Sequence, residues 1–89
     1  MKSANVEEQR CRVASLLETV ADGKVSPAEA LARAEEWRDI PWSESFFSDA
    51  YHALRHFEAD SDIRANDADY ALAQVAWLKS FAEKLLKIN

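Results

Sequence analysis

Few side chains in this sequence have the types and spacing that metal binding requires. His52 and His56 are four residues apart, with Asp49 one turn earlier, a spacing that can bring two imidazoles to one metal ion. The helical pattern around them places both histidines opposite the apolar face, and no third strong ligand is evident. We therefore expect exposed histidines and no metal site.

Catalytic side chains are equally scarce. The single cysteine, Cys11, lies between Arg10 and Arg12 and off the apolar stripe of its helix, so we expect a partly exposed free thiol. One cysteine excludes an intramolecular disulfide and a cysteine-based zinc site. There is no Gly-rich phosphate loop, and a chain of 89 residues has little room for a ligand pocket of ~300 Å³. The sequence therefore predicts neither an enzyme nor a bound cofactor.

The unusual stretch of the chain is RHFEADSDIRANDADY, from Arg55 to Tyr70. Its residues 58–69, called here the acidic segment, hold a single cation, Arg64, against five carboxylates: Glu58, Asp60, Asp62, Asp67 and Asp69. Like charges at this spacing repel each other, so the segment is either a solvated loop or a surface that binds a basic partner.

The five carboxylates divide into two groups. Asp67 and Asp69 fall in the first turn of a predicted helix, where negative charge complements the helix dipole. Glu58, Asp60 and Asp62 precede that helix, and neither capping nor packing explains them. We predict that these three serve binding more than folding, with a solvated loop as the alternative.

The distribution of charge over the whole chain excludes some partners. The net charge is −5, and residues 29–69 hold eleven acidic against four basic residues. Nucleic acids and anionic membranes bind basic surfaces, so neither is expected as a direct partner. No apolar run approaches the ~18 residues of a membrane span, and the N-terminus has no secretory h-region. We therefore expect a cytoplasmic protein.

Apolar residues recur at three- and four-residue spacing along the chain, which predicts an all-α fold of four helices. The first is expected over about 3–22, with Gly23 as its left-handed C-terminal cap. The second begins after the N-cap Ser26 with Pro27 at its first position, and it ends by about Asp39.

The other two helices flank the acidic segment. Ser43 is the predicted N-cap of the third, with Trp42 and Phe47 spaced for a hydrophobic staple. The fourth is expected over about 67–87 with Asn66 as its cap. Short connections favour antiparallel neighbours. The predicted architecture is a single domain over residues 1–89, a compact antiparallel four-helix bundle.

The wide apolar faces of the third and fourth helices define the predicted core. Gln74 falls inside the apolar stripe of the fourth helix, so we expect its amide to bridge to another helix. The hydroxyl of Tyr70 must likewise reach a partner. The predicted core positions on these helices are Phe46, Phe47, Ala50, Tyr51, Leu54, Phe57, Tyr70, Trp77, Leu78, Phe81, Leu85 and Ile88, with Val75, Ala82 and Leu86 widening the face of the fourth helix.

The stretch FEADSDIR, from Phe57 to Arg64, precedes an acidic first turn and an amphipathic terminal helix, and it resembles the colicin D immunity protein family. The positions that match its pattern of a phenylalanine, three acids and an arginine are Phe57, Glu58, Asp60, Asp62 and Arg64. The joint GKVSPAEA, residues 23–30, looks like that family's connection between its first two helices.

The resemblance is clearest over residues 51–87. It departs from the family pattern at Ala59, where a proline is expected, and by one extra residue, Ile63, before the arginine.

The resemblance implies a small, all-helical cytoplasmic protein that binds and blocks, one to one, the basic nuclease domain of a cognate tRNA-cleaving toxin. The toxin-binding residues would be the carboxylates of the acidic segment, which would imitate tRNA phosphates. It implies no catalytic residue, metal or cofactor, and no direct contact with nucleic acid or membrane. The alternative function is a helical adaptor or self-associating structural domain without an inhibitory role.

Overall fold

The computed structural model describes residues 6–87, and all the regular structure in that range is helical. The helices are α1 (Val6–Ala21), α2 (Pro27–Glu36), α3 (Ser45–Ala59), α4 (Ser61–Asn66) and α5 (Ala68–Lys87). The predicted all-α class is confirmed. The structure has five helices where four were predicted, because the acidic segment contains α4. The predicted helix start near Ser3 and the core position Ile88 lie outside the described residues.

The joint between α1 and α2 follows the local sequence signals. Gly23 has a φ of 76°, and its N–H and that of Lys24 each donate to last-turn carbonyls of α1 at 3.0 Å, which is a Schellman cap. Ser26 Oγ accepts from the N–H of Glu29 at 3.1 Å, and Pro27 occupies the first helical position. Both caps are therefore confirmed.

The linker between α2 and α3 is longer than predicted, because α2 ends at Glu36 rather than near Asp39. Contacts to α1 hold the linker in place. Gln9 donates from Nε2 to the carbonyl of Asp39 at 2.7 Å, and Arg12 forms an ion pair with its carboxylate. The pKa of Asp39 is lowered, and the hydrogen bond from Arg12 to its carboxylate is the largest cause. The Arg12 guanidinium also lies 5.2 Å from the ring centre of Trp37.

The start of α3 corrects a second prediction. The helix begins at Ser45 with Glu44 in the N-cap position, where its side chain makes no capping bond, so Ser43 is not the cap. The predicted staple contact is nevertheless present, since the rings of Trp42 and Phe47 meet edge to face at 6.4 Å. Packing of these two aromatic rings therefore accompanies the entry into α3 without the predicted cap.

One continuous apolar core joins the four longer helices. α5 packs most extensively along α1 and also contacts α3, while α2 packs against α3. The radius of gyration is 13.0 Å, close to the ~12 Å expected for a compact chain of this length. The largest fully buried side chains are Val13, Leu17, Leu54 and Leu78.

Two aromatic residues predicted in the core lie partly outside it. Phe46 is 53% exposed and Trp77 is 38% exposed, whereas Phe47 and Leu78 are buried. Successive residues on a helix are rotated by ~100°, so when one of an adjacent apolar pair points inward the other falls at the edge of the stripe. At both places the neighbouring helices leave that edge uncovered.

Candidate functional site

The acidic segment is folded rather than a loop. α3 ends at Ala59, and the single residue Asp60, with φ −92° and ψ 14°, joins it to the short helix α4. Asp67 then adopts an extended conformation and α5 begins. Its Oδ1 accepts from the N–H of Tyr70 at 3.0 Å. The cap of α5 is therefore Asp67, not Asn66 as predicted.

Asp60 is the centre of a polar network between α4 and α5. Its Oδ2 accepts hydrogen bonds from the hydroxyl of Tyr70 at 2.8 Å and from Nε2 of Gln74 at 3.0 Å. The same Nε2 lies 3.3 Å from the Tyr70 hydroxyl. The predicted bridging role of Gln74 and the predicted partner for Tyr70 are thus confirmed. The expectation that packing does not explain Asp60 is wrong.

The charge that faces Asp60 across this network belongs to Arg64. Its Nη1 donates to Oε1 of Gln74 at 2.6 Å and to the carbonyl of Phe57. The guanidinium lies 3.6 Å from the centre of the Phe57 ring. Burial lowers the pKa of Arg64, and the carboxylate of Asp60 opposes that shift. The amide of Gln74 therefore has a fixed orientation, with its oxygen toward the cation and its nitrogen toward the anion.

The other four predicted site residues lie on the outside of the segment. Glu58 is exposed at the end of α3, Asp62 on α4, and Asp67 and Asp69 at the start of α5. Arg64 forms its hydrogen bonds with Gln74 and Phe57 and no ion pair with these four carboxylates among residues 6–87, although the charge of Glu58 also acts on it. The structure therefore exposes four anions at the end of α3, on α4 and at the start of α5.

A groove beside this segment was not predicted. It has a volume of about 400 Å³ and runs between the end of α3 and the first half of α5, lined by His56, Asp60, Tyr70, Ala73, Gln74 and Trp77. A second depression of about 260 Å³ lies next to the groove, and His56 lines both. Glu58 also lines the second depression. The groove is largely open to solvent, so the expectation of little room for a ligand pocket stays a prediction. Trp77 is the residue that could have indicated this groove, but its position in the apolar stripe led to the prediction that it lies in the core.

The remaining chemical candidates stay isolated. His52 and His56 are exposed, as predicted, and Nδ1 of His52 lies 3.4 Å from the hydroxyl of Ser48. Cys11 is an exposed free thiol, as predicted. Within residues 6–87, no three His, Cys, Asp or Glu side chains come together in a way that could hold a metal ion. Across the same range no helix has the length and apolar character needed to cross a bilayer.

The titration of Tyr70 tests the network. The hydrogen bond to Asp60 is the largest cause of a raised Tyr70 pKa, followed by burial and by the negative charge of Asp60. We expect Tyr70 to ionise above the ordinary value of 10.0 in a spectrophotometric titration. Because the folded pKa lies above the unfolded one, the stabilisation is complete below the unfolded pKa and is lost as pH rises through the folded pKa.

The variant Tyr70→Phe assigns the signal, because the sequence has two tyrosines and this change removes Tyr70 alone. The late ionisation should disappear in that variant and move to lower pH in Asp60→Asn. A late phase that survives Tyr70→Phe would show that the network does not hold this proton.

Comparison with known proteins adds no further assignment, because no family model, curated protein or solved structure matches this chain.

Proposed function

We propose that this protein is an immunity protein, which binds the nuclease domain of a cognate bacterial toxin and blocks RNA cleavage. The observation that carries the proposal is the exposed charge of the acidic segment. Four carboxylates face solvent within residues 58–69, and the only cation of that stretch is bonded inside the fold. The stretch FEADSDIR, which resembles the colicin D immunity family, supplies two of these exposed carboxylates, Glu58 and Asp62.

The chemistry of the proposed partner explains why such a surface inhibits. A nuclease that cleaves tRNA binds phosphates with lysine and arginine side chains, and a cluster of carboxylates can occupy the same cleft. Opposite fields also accelerate the encounter, which suits an inhibitor that must act before RNA is cut. Glu58 and Asp62 are assigned to direct contact. Asp67 and Asp69 contribute charge while also serving the start of α5.

The proposal includes a one-to-one complex, a cytoplasmic location and an antiparallel arrangement of the longer helices. It assigns no catalysis to this chain, because inhibition requires only occupancy of the partner's cleft. The alternative function is an adaptor or self-associating helical domain. Exposed apolar side chains favour that alternative, notably Leu72, which is 71% exposed, and Phe46.

The proposal requires a gene for a nuclease toxin next to this one, and the test is inhibition of that nuclease domain, measured as cleavage of tRNA. We expect cleavage to stop at one equivalent of this protein. The double variant Glu58→Gln/Asp62→Asn should weaken binding by about tenfold or more, mainly through a slower association rate. Wild-type affinity should fall as salt rises, because fields are screened beyond ~8–10 Å near physiological ionic strength.

The matched control is Glu18→Gln/Glu36→Gln, which removes the same charge from exposed positions on α1 and α2. It should keep the wild-type affinity within about twofold, since only the overall charge has changed. Equal losses of affinity in both double variants would show that the acidic segment contributes only through the net charge of the protein. Undiminished cleavage at excess inhibitor would favour the adaptor.

A further inference from the structure

Asp60, which lines the groove beside the acidic segment, has a carboxylate oxygen that no donor of residues 6–87 reaches. Both hydrogen bonds to Asp60, from Tyr70 and Gln74, are accepted by Oδ2. Asp60 also occupies the N-cap position of α4 without a capping bond. Among residues 6–87, Oδ1 therefore has no donor, although the two bonds to Oδ2 hold the carboxylate in one orientation. An anion fixed in this way is preorganised for a cation in the groove.

The aromatic wall of the same groove is also only partly used. Trp77 is 38% exposed, and its ring contact within the described part of the chain is with Phe81, edge to face at 5.3 Å. Its Nε1 has no acceptor there, whereas Nε1 of Trp42 donates to the carbonyl of Trp37 at 3.2 Å. Tryptophan is one of the residue types enriched among the few side chains that dominate the binding energy of protein interfaces.

The protein contains an occupied version of this arrangement elsewhere. Arg12 pairs with the carboxylate of Asp39 while its guanidinium lies 5.2 Å from the ring centre of Trp37. The groove presents a carboxylate and an indole, Asp60 and Trp77, and no lysine or arginine among residues 6–87 lines it; Arg64, whose charge acts on Asp60, is bonded to Gln74 and Phe57. The combination of anion and indole is present in the groove, and the arginine is not.

We propose that the groove binds one arginine side chain of a protein partner, with its guanidinium paired to Oδ1 of Asp60 and stacked on Trp77. A planar guanidinium satisfies both contacts at once, which the compact ammonium of lysine does not. The exposed carboxylates nearby attract a basic partner, and a volume of about 400 Å³ accommodates one long side chain. This inference rests on the proposed function, because that function supplies the basic partner.

The first experiment uses a small probe and no toxin. N-acetyl-arginine methylamide is titrated into the full chain while the three indole N–H signals are followed by NMR. We expect a saturable shift of the Trp77 signal with a dissociation constant in the millimolar range, and no shift of Trp42. The citrulline analogue has the same shape without the charge, and it should give no response. An equal response to citrulline or to the lysine analogue would overturn the proposal.

Two variants locate the probe. Asp60→Asn should weaken arginine binding by about fivefold or more, whereas Asp62→Asn, which removes the same charge outside the groove, should change it by less than about twofold. Trp77→Leu changes a partly exposed position and should also abolish the response, read from the backbone signals of Ala73 and Gln74. Unchanged arginine binding in both Asp60→Asn and Trp77→Leu would overturn the site.

The second experiment measures the affinity of the nuclease domain for the same variants. Trp77→Leu should weaken the complex by about tenfold or more, as for a central anchor residue. Nuclease inhibition that is unaffected by Trp77→Leu and Asp60→Asn would remove the arginine site and leave the proposed function. Arginine binding in the groove without inhibition of the nuclease would remove the proposed function and leave the site.

Discussion

Replacement of Leu54 by alanine is expected to lower the free energy of unfolding by about 2–5 kcal/mol. The side chain of Leu54 is fully buried in the middle of α3 and belongs to the core that α1, α2 and α5 share. The alanine side chain would leave a cavity that four helices cannot close without moving. A small domain has about 5–15 kcal/mol of stability in total, so this variant loses much of its margin. Urea unfolding followed by far-UV circular dichroism measures the loss.

The matched control is Leu72→Ala on α5, where the same side chain is 71% exposed. It should change the free energy of unfolding by less than about 0.5 kcal/mol. Phe81→Ala should fall between the two, because Phe81 is only partly buried and packs against the edge of the core. A loss at Leu54 no larger than that at Leu72 would mean that α3 does not present this face to the core.

The features of the fold that the sequence predicts correctly are those set by neighbouring residues. The caps at Gly23 and Ser26 depend on backbone conformation and one side chain within a single turn, so short patterns identify them. The short helix α4 carries no such signal. It has no buried residue and no side-chain cap, and its one large apolar residue, Ile63, is 48% exposed. The contacts of Arg64 with Phe57 and Gln74 hold it in place, and periodicity does not reveal such contacts.

The candidate site likewise has parts that the sequence predicts and parts that depend on long-range contacts. The sequence identifies Gln74 as a buried amide that needs partners, but Asp60 and Arg64 are fourteen and ten residues away from it. Only the turn at Asp60 and the course of α4 bring the three together. Trp77 lies on a correctly predicted apolar stripe, yet its exposure depends on how far the neighbouring helices extend. Which side chains pair, and how far a neighbouring helix covers a face, depend on the tertiary structure. The apolar pattern of a single helix specifies neither.

Two aspartates of the acidic segment allow a test of which carboxylates stabilise the fold. Asp60 and Asp62 are two residues apart and carry the same charge, but within residues 6–87 only the carboxylate of Asp60 accepts hydrogen bonds from other side chains, whereas Asn66 bonds to the backbone carbonyl of Asp62. Asp60→Ala should lower the free energy of unfolding by about 1–2 kcal/mol, because Tyr70 and Gln74 lose a charged acceptor in a partly solvated network. Asp62→Ala should change it by less than about 0.5 kcal/mol, with a slight gain where repulsion is relieved.

The measurement is urea unfolding of both variants, repeated in a Tyr70→Phe background. Asp60→Ala and Tyr70→Phe remove two ends of one hydrogen bond, so their effects should not add, whereas Asp62→Ala and Tyr70→Phe should. If Asp60→Ala and Asp62→Ala cost equal free energies of unfolding, and each adds to the cost of Tyr70→Phe, the two aspartates would act only through their negative charge. If Asp62→Ala leaves stability intact, any loss of nuclease affinity after its neutralisation arises at the interface and not in the fold. Asp60 differs, because its Oδ2 accepts bonds from Tyr70 and Gln74, so a loss of nuclease affinity after its neutralisation would not separate the fold from the interface.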